Sequence, residues 1–154
     1  MVTATAFTSA QSRSGGAARR AAAGRPGRLP DHSRLSCLIV TTARADRDLV
    51  RLALAGESRY TCVAPGSRAE LAAAADHDHE LVFVDLPTLF GGWLADGLAI
   101  VHARAGRRAT LVAVCAHEDD CDEELVLRQL GVGLYLPGVP LGDAVNHVVE
   151  ALER

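Results

Sequence analysis

Asp85 is the residue whose type and position are best suited to chemistry. It closes the apolar run 81–84, a pattern typical of a strand buried on both faces, and ligands gather at such strand ends in parallel α/β sheets. Phosphoryl transfer to a carboxylate also needs nearby cations, because two anions must approach each other. The chain has 16 arginines and no lysine. The sequence therefore indicates a phosphate-accepting position with no lysine to serve it.

A second group of reactive side chains includes Cys115, His117 and Cys121, and a further pair is His77 and His79. Thiols and imidazoles can bind zinc or sense oxidants, but the spacing matches no zinc pattern. We expect the two histidines on a solvent-exposed loop, and we keep a thiol or metal sensor as a distant alternative. The chain contains no dinucleotide-binding glycine motif, phosphate-binding loop or serine elbow, so no enzyme is expected.

Composition favours one α/β domain after a basic tail. The chain has 154 residues, of which 49% are hydrophobic and 4% aromatic. Residues 1–34 carry six arginines and one acid, whereas 35–154 carry ten arginines and eighteen acids. The tail has too few apolar side chains to fold, so it is predicted to be disordered; an organellar targeting role and contacts with nucleic acid or an acidic membrane are less favoured.

The four cysteines, at 37, 62, 115 and 121, lack the paired spacing of a disulfide scaffold. They indicate reduced thiols in the cytoplasm. No run approaches the roughly 18 to 20 apolar residues needed to span a bilayer. We therefore expect a soluble cytoplasmic protein that binds neither membrane nor nucleic acid.

From residue 35 onward, apolar runs alternate with segments of helical period. This alternation predicts a doubly wound, five-stranded parallel sheet with flanking helices. The predicted strands are 37–40, 60–64, 81–84, 110–115 and 133–136. The predicted helices are 45–55, 67–75, 93–104, a segment from Asp119 or Asp120 through 130, and 141–152.

Two local patterns refine these helices. Ser67 and Glu70 have the spacing of a capping box, and Gly131 is placed to end the fourth helix in a left-handed conformation. In the first helix, Leu49, Val50, Ala53 and Leu54 are predicted to form one buried stripe.

The order of four segments, 38–40, 81–86, 111–119 and 131–136, resembles that of the response-regulator receiver domain, and the resemblance covers about residues 35–154. It implies a receiver (flavodoxin-like) fold in which a histidine kinase phosphorylates Asp85. It also implies a Mg²⁺ held by an acidic pair after the first strand and a lysine after the fifth. The resemblance further implies a hydroxyl after the fourth strand that is coupled to an aromatic residue of the fifth. Tyr135 stands at the aromatic position, although an ordinary, partly buried strand residue is an equally good interpretation of it.

This chain departs from that pattern at four positions. Thr41 and Thr42 replace the acidic pair, Cys115 replaces the hydroxyl, and Gly138 falls near the lysine position, with Leu136 as the other alignment. Mg²⁺ is expected to bind weakly if at all, because neutral hydroxyls replace its carboxylate ligands. Asp46 and Asp48 are expected on the first helix, away from the site.

These departures favour a degenerate receiver that acts by protein–protein interaction, independently of phosphorylation. A genuine two-component receiver phosphorylated at Asp85 is the alternative. The partner would be a histidine kinase or an output protein, and the last two helices with the fifth strand could form a homodimer. The loop after Asp85 is longer than the family usually has and could hold Trp93 over the site. Phe90 and Trp93 could instead form a partner-binding patch, although a loop folded onto its own helix is the commoner arrangement.

Overall fold

A computed structural model describes residues 34–56, 59–118 and 120–154. The predicted disorder of the tail therefore falls outside the described residues, except for Arg34. The elements alternate regularly along the chain. They are β1 (Leu35–Val40), α1 (Arg44–Gly56), β2 (Tyr60–Val63), α2 (Arg68–Ala75), β3 (Leu81–Asp85), a 3-10 turn (Leu86–Thr88), α3 (Gly91–Arg104), β4 (Leu111–Ala116), α4 (Cys121–Leu130), β5 (Leu134–Pro137) and α5 (Leu141–Leu152).

The five strands form one parallel sheet in the order β2-β1-β3-β4-β5, which confirms the predicted fold class. The strand order reverses between β1 and β3, where Val40 is paired with Val84. All five residues of β3 are buried, as expected for a central strand covered on both faces. The carboxyl ends of β1, β3 and β4 therefore meet where an α/β sheet of this order forms its ligand crevice.

The core consists of two layers, one on each face of the sheet. α1 and α5 cover one face, whereas α2, α3 and α4 cover the other. The predicted stripe of α1 is partly wrong: Val50 and Leu54 are buried, but Leu49 and Ala53 are exposed. Successive helical residues are about 100° apart, so Val50 and Leu54 share the buried side while Leu49 lies on its flank.

The helix caps largely follow the sequence. The Ser67 side chain accepts the Glu70 amide, but the Glu70 carboxylate binds the amide of Gly66 rather than that of Ser67. Asp120 caps α4 by accepting two amides, and Asp119 lies outside the described residues. Gly131 ends α4 with φ 95°, so the predicted left-handed residue is present there.

A buried arginine that the sequence pattern did not predict lies at the end of α3, beside the chain that leads into β3. Arg104 donates to Asp78 Oδ1 at 2.6 Å and to the carbonyls of Ala75 and His77. His79 is buried beside this corner and bonded to Ser36, which corrects the expectation that both His77 and His79 are exposed. A buried imidazole needs partners at both ring nitrogens, and the adjacent chain supplies them here.

Within these described ranges, no helix is long and apolar enough to cross a lipid bilayer.

Candidate functional site

Asp85 lies at the carboxyl end of β3 and is buried, at the edge of a pocket of about 430 Å³. Cys115 lies beside it on β4, where the two residues are paired in register. Gly138, after β5, also lines the pocket. The structure thus brings Asp85, Cys115 and Gly138 around one pocket, as expected for residues that follow neighbouring parallel strands.

The Asp85 carboxylate is bound by a neutral hydroxyl. Thr41, buried at the end of β1, donates to Asp85 Oδ2 at 3.0 Å. Thr88 Oγ1 lies 2.8 Å from Thr41 Oγ1 and 3.0 Å from the carbonyl oxygen of Asp85, and it accepts the Thr42 amide. The Thr42 hydroxyl donates to the Thr88 carbonyl. This network joins the loop after β3 to the end of β1.

The sequence interpretation did not identify Thr88. The available signal was a threonine three residues after the aspartate in a proline-containing turn, since Ser and Thr side chains bond to backbone groups in such turns. Thr41 and Thr42 were assigned to the receiver's acidic-pair positions. Their hydroxyls instead bond to Asp85 and Thr88.

Burial raises the pKa of the Asp85 carboxyl above its usual value, because water that would solvate the anion is removed. The Thr41 hydrogen bond opposes this shift, and the nearby charge of Asp46 adds to it. Asp85 is therefore harder to ionise than an exposed aspartate.

Asp46 lines the pocket, contrary to our expectation that it lies away from the site. Asp48 does not; it lies 4.0 Å from Arg44 on the exposed side of α1. Asp46 and Asp85 are thus two carboxylates at one pocket. The described residues contain no group of three or more His, Cys, Asp or Glu side chains that could hold a metal ion. The donor set therefore fits Mg²⁺ poorly, since the acidic pair is replaced by threonines and the pKa of Asp85 is raised.

The lysine position holds no cation. Gly138 has φ 61° and is followed in the pocket wall by Val139, Pro140 and Leu141. Among the described residues that line this pocket, none is arginine, and the chain has no lysine. His117, whose backbone is next to Gly138 in the pocket lining, favours the ionised form of Asp85 by its charge. A β-carbon at Gly138 would also be strained by the positive φ.

Cys115 is buried, and burial together with the charge of Asp85 raises the pKa of its thiol to about 12. The thiol stays protonated at neutral pH, so it is a poor metal ligand or nucleophile. Cys121 is exposed at the start of α4 and does not line this pocket. These features give no support to the thiol or metal sensor alternative.

Tyr135 is buried on the face of the sheet covered by α2, α3 and α4, whereas Cys115 packs on the other face. Its hydroxyl donates to Glu123 Oε1 at 2.9 Å. Burial and this bond raise the pKa of the Tyr135 phenol to about 12. The aromatic side chain is therefore tied to α4, and it is not in the same core layer as the residue at the hydroxyl position.

The loop aromatics take different positions. Phe90 is exposed, whereas Trp93 packs against the core layer under α3. Trp93 does not line the pocket at Asp85, so the expectation that it lies over the site is wrong. The helix begins at Gly91, two residues before the predicted start, so Trp93 lies in its first turn, where it is partly buried.

The fold is similar to that of solved receiver structures. A response regulator from Thermotoga maritima has a TM-score of 0.60 at 18% identity, covering 79% of this chain and 99% of that one. An orphan response regulator of H. pylori gives 0.60 at 15%, covering 79% and 98%. The BeF3-activated DrrB receiver domain gives 0.62 at 15%, covering 79% and 99%.

No protein-family model and no curated protein matches the sequence. At such low identity the structural likeness establishes the fold alone. Residues 34–56, 59–118 and 120–154 therefore have the receiver fold, with the pocket at Asp85 in the place where that fold forms its ligand crevice.

Proposed function

We propose that the chain is a receiver-like signalling module that acts by binding other proteins, without phosphorylation of Asp85 and without enzymatic activity. One observation carries the proposal: the Asp85 carboxylate is bonded to a threonine hydroxyl, and no arginine is among the described residues that line its pocket. A phosphoryl group would add about two negative charges beside Asp46. With no lysine and a poor metal site, the His117 side chain is left to offset that repulsion, and its charge is the smallest of the influences on the Asp85 pKa.

The proposed role of Asp85 is to hold the loop after β3. Thr41, Thr42 and Thr88 connect this loop to β1 through hydroxyl groups, and the Asp85 carboxylate and carbonyl are both part of that network. The proposed partners are proteins of a two-component system, a histidine kinase or an output protein, or a second copy of the chain. The proposed location is the cytoplasm, and neither nucleic acid nor membrane is a proposed partner.

The rival function is that of a genuine response regulator phosphorylated at Asp85. The position of Asp46 favours it, because this carboxylate lines the same pocket and could supply one of the missing metal ligands. Asp46→Asn is therefore the variant that separates the two functions. It should leave a phosphorylation-independent module unaffected and should remove any Mg²⁺ response of a genuine receiver.

The test is an amide NMR titration of the full chain with Mg²⁺ and then beryllofluoride, which mimics a phosphoryl group on aspartate. We expect an unchanged spectrum. The DrrB receiver domain, solved in a BeF3-activated form, is the positive control. Shifts centred on Asp85, Cys115 and Tyr135 would overturn the proposal, and their loss in Asp46→Asn would establish the rival.

A further inference from the structure

We propose that the groove between α3 and α4 binds a basic amphipathic helix of another protein. The inference rests on the proposed protein-binding function and names the surface that performs it. α3 packs against α2, and α4 packs against β5, so the two helices leave a groove of about 1160 Å³ between them. A groove of this size accommodates several apolar side chains.

Both walls of the groove expose apolar side chains. Leu94 and Leu98 are one turn apart on α3, and Val126 faces them from α4. Leu98 is 40% exposed and Val126 is 55% exposed. The floor is apolar as well, formed by Leu86, Leu89, Ala116 and Leu127. Contiguous apolar surface of this kind marks a binding site more often than scattered exposed residues do.

The α4 side of the groove is acidic. Four carboxylates line it, those of Glu118, Asp120, Asp122 and Glu123. No arginine lines the groove, and none of the four forms an ion pair with another side chain in the described ranges. A partner with arginine or lysine beside its apolar residues would be complementary in charge, and such complementarity determines which partners bind.

The walls also decide the form of the partner. They are helices whose backbone groups bond within each helix, so the groove offers no sheet edge to which a strand could be added. Apolar residues at helical spacing on a partner would instead fit between the leucines of α3 and Val126 of α4. Pro87, Ala116 and His117 line both this groove and the pocket at Asp85, so a bound helix would contact a shared wall.

The probe is a synthetic helix with leucines along one face and arginines flanking them, titrated into the full chain and followed by amide NMR. A second peptide has glutamate in place of arginine. We expect the arginine peptide to shift the signals of Leu98, His117 and Val126 and to bind more weakly as salt is added. The glutamate peptide should bind roughly tenfold more weakly or not at all.

Val126→Glu and Leu98→Glu test the apolar walls, and both positions are exposed, so the fold should tolerate them. Each should weaken binding of the arginine peptide by roughly tenfold or more, as expected for a central apolar contact. Leu52→Glu is the matched control, because Leu52 is 72% exposed on α1, outside the groove. It should bind the peptide like the unaltered chain.

Several results would overturn the inference: no shift at millimolar peptide, equal binding of the two peptides, or equal loss in all three variants. A chain that self-associates through a surface disrupted by Val126→Glu would identify the occupant as a second copy instead. Beryllofluoride binding at Asp85 would defeat the phosphorylation-independent function and leave the groove result unchanged, so the two failures are distinguishable.

Discussion

Two aspartates at opposite ends of β3 have opposite electrostatic environments. Asp78, before the strand, bonds to Arg104, and this guanidinium holds the pKa of the carboxyl below its usual value. Asp85, at the end of the strand, bonds to a threonine hydroxyl, and burial raises the pKa of its carboxyl. A buried arginine thus binds backbone carbonyls at the amino end of β3. At the carboxyl end, where phosphoryl transfer would require a cation, no arginine lines the described pocket.

The largest expected effect is at the arginine end. Arg104→Ala removes a buried side chain and leaves the carbonyls of Ala75 and His77 without their donor. We expect a loss of about 2 to 3 kcal/mol in the free energy of unfolding, measured by urea denaturation.

Arg107→Ala is the control for this loss, because Arg107 is exposed and lies 3.9 Å from the same Asp78 oxygen. Its effect should stay within about 0.5 kcal/mol. Equal losses in the two variants would show that the buried bonds of Arg104 do not stabilise this end of the sheet.

A smaller loss is expected at the hydroxyl end. Thr88→Val removes the oxygen that accepts the Thr42 amide and contacts Thr41. The cost should be about 1 to 2 kcal/mol, because a donor at the end of β1 is left unpaired. Thr88→Ser keeps the hydroxyl and should retain most of the stability. If both variants are as stable as the unaltered chain, the network does not fix the loop.

The smallest effects differ in sign between the two aspartates. The pKa of Asp85 is higher in the folded protein than in the unfolded chain, so the unfolded chain ionises at lower pH. The free energy of unfolding therefore falls as the pH rises from the unfolded-state pKa through the folded-state pKa. Asp85→Asn should remove that loss and increase stability at neutral pH, by less than about 1 kcal/mol since the pocket is open to solvent.

Asp78→Asn should act in the opposite direction. The pKa of Asp78 is lower in the folded protein than in the unfolded chain. Asp78 therefore stabilises the fold at pH values above its unfolded-state pKa, and this contribution is lost as the pH falls through its folded-state pKa. The variant should be less stable at neutral pH and should match the unaltered chain in strong acid. Urea unfolding at several pH values measures both aspartate variants, and changes of the same sign would contradict the comparison.

The fold could be predicted from the sequence because the apolar runs and helical segments alternate at the lengths of a parallel α/β sheet. Strand ends also placed Asp85, Cys115 and Gly138 correctly at one crevice, since parallel strands all end on the same side. The position of Asp46 could not be predicted, because it depends on how α1 is rotated against the sheet. The same rotation of α1 leaves Leu49 exposed, although the sequence pattern predicted that it is buried.

Polar contacts between segments that are distant in the sequence could not be predicted from its pattern either. His79 lies on the predicted loop before β3, but it is buried rather than exposed, because Ser36 and the end of α2 enclose it. Arg104 lies in the last turn of α3, where an arginine is ordinarily solvated, and its three bonds arise only when α2 and the chain before β3 pack beside it.

The most direct test of an Asp85 carboxylate that is bonded to a threonine hydroxyl rather than to a metal ion is a carboxyl-carbon NMR titration of the full chain with and without Mg²⁺. We expect Asp85 to titrate above the usual aspartate range and Asp78 below it, with neither pKa changed by Mg²⁺. An Asp85 pKa at or below the usual range, falling further when Mg²⁺ is added, would show a functioning cation site and contradict the proposed function.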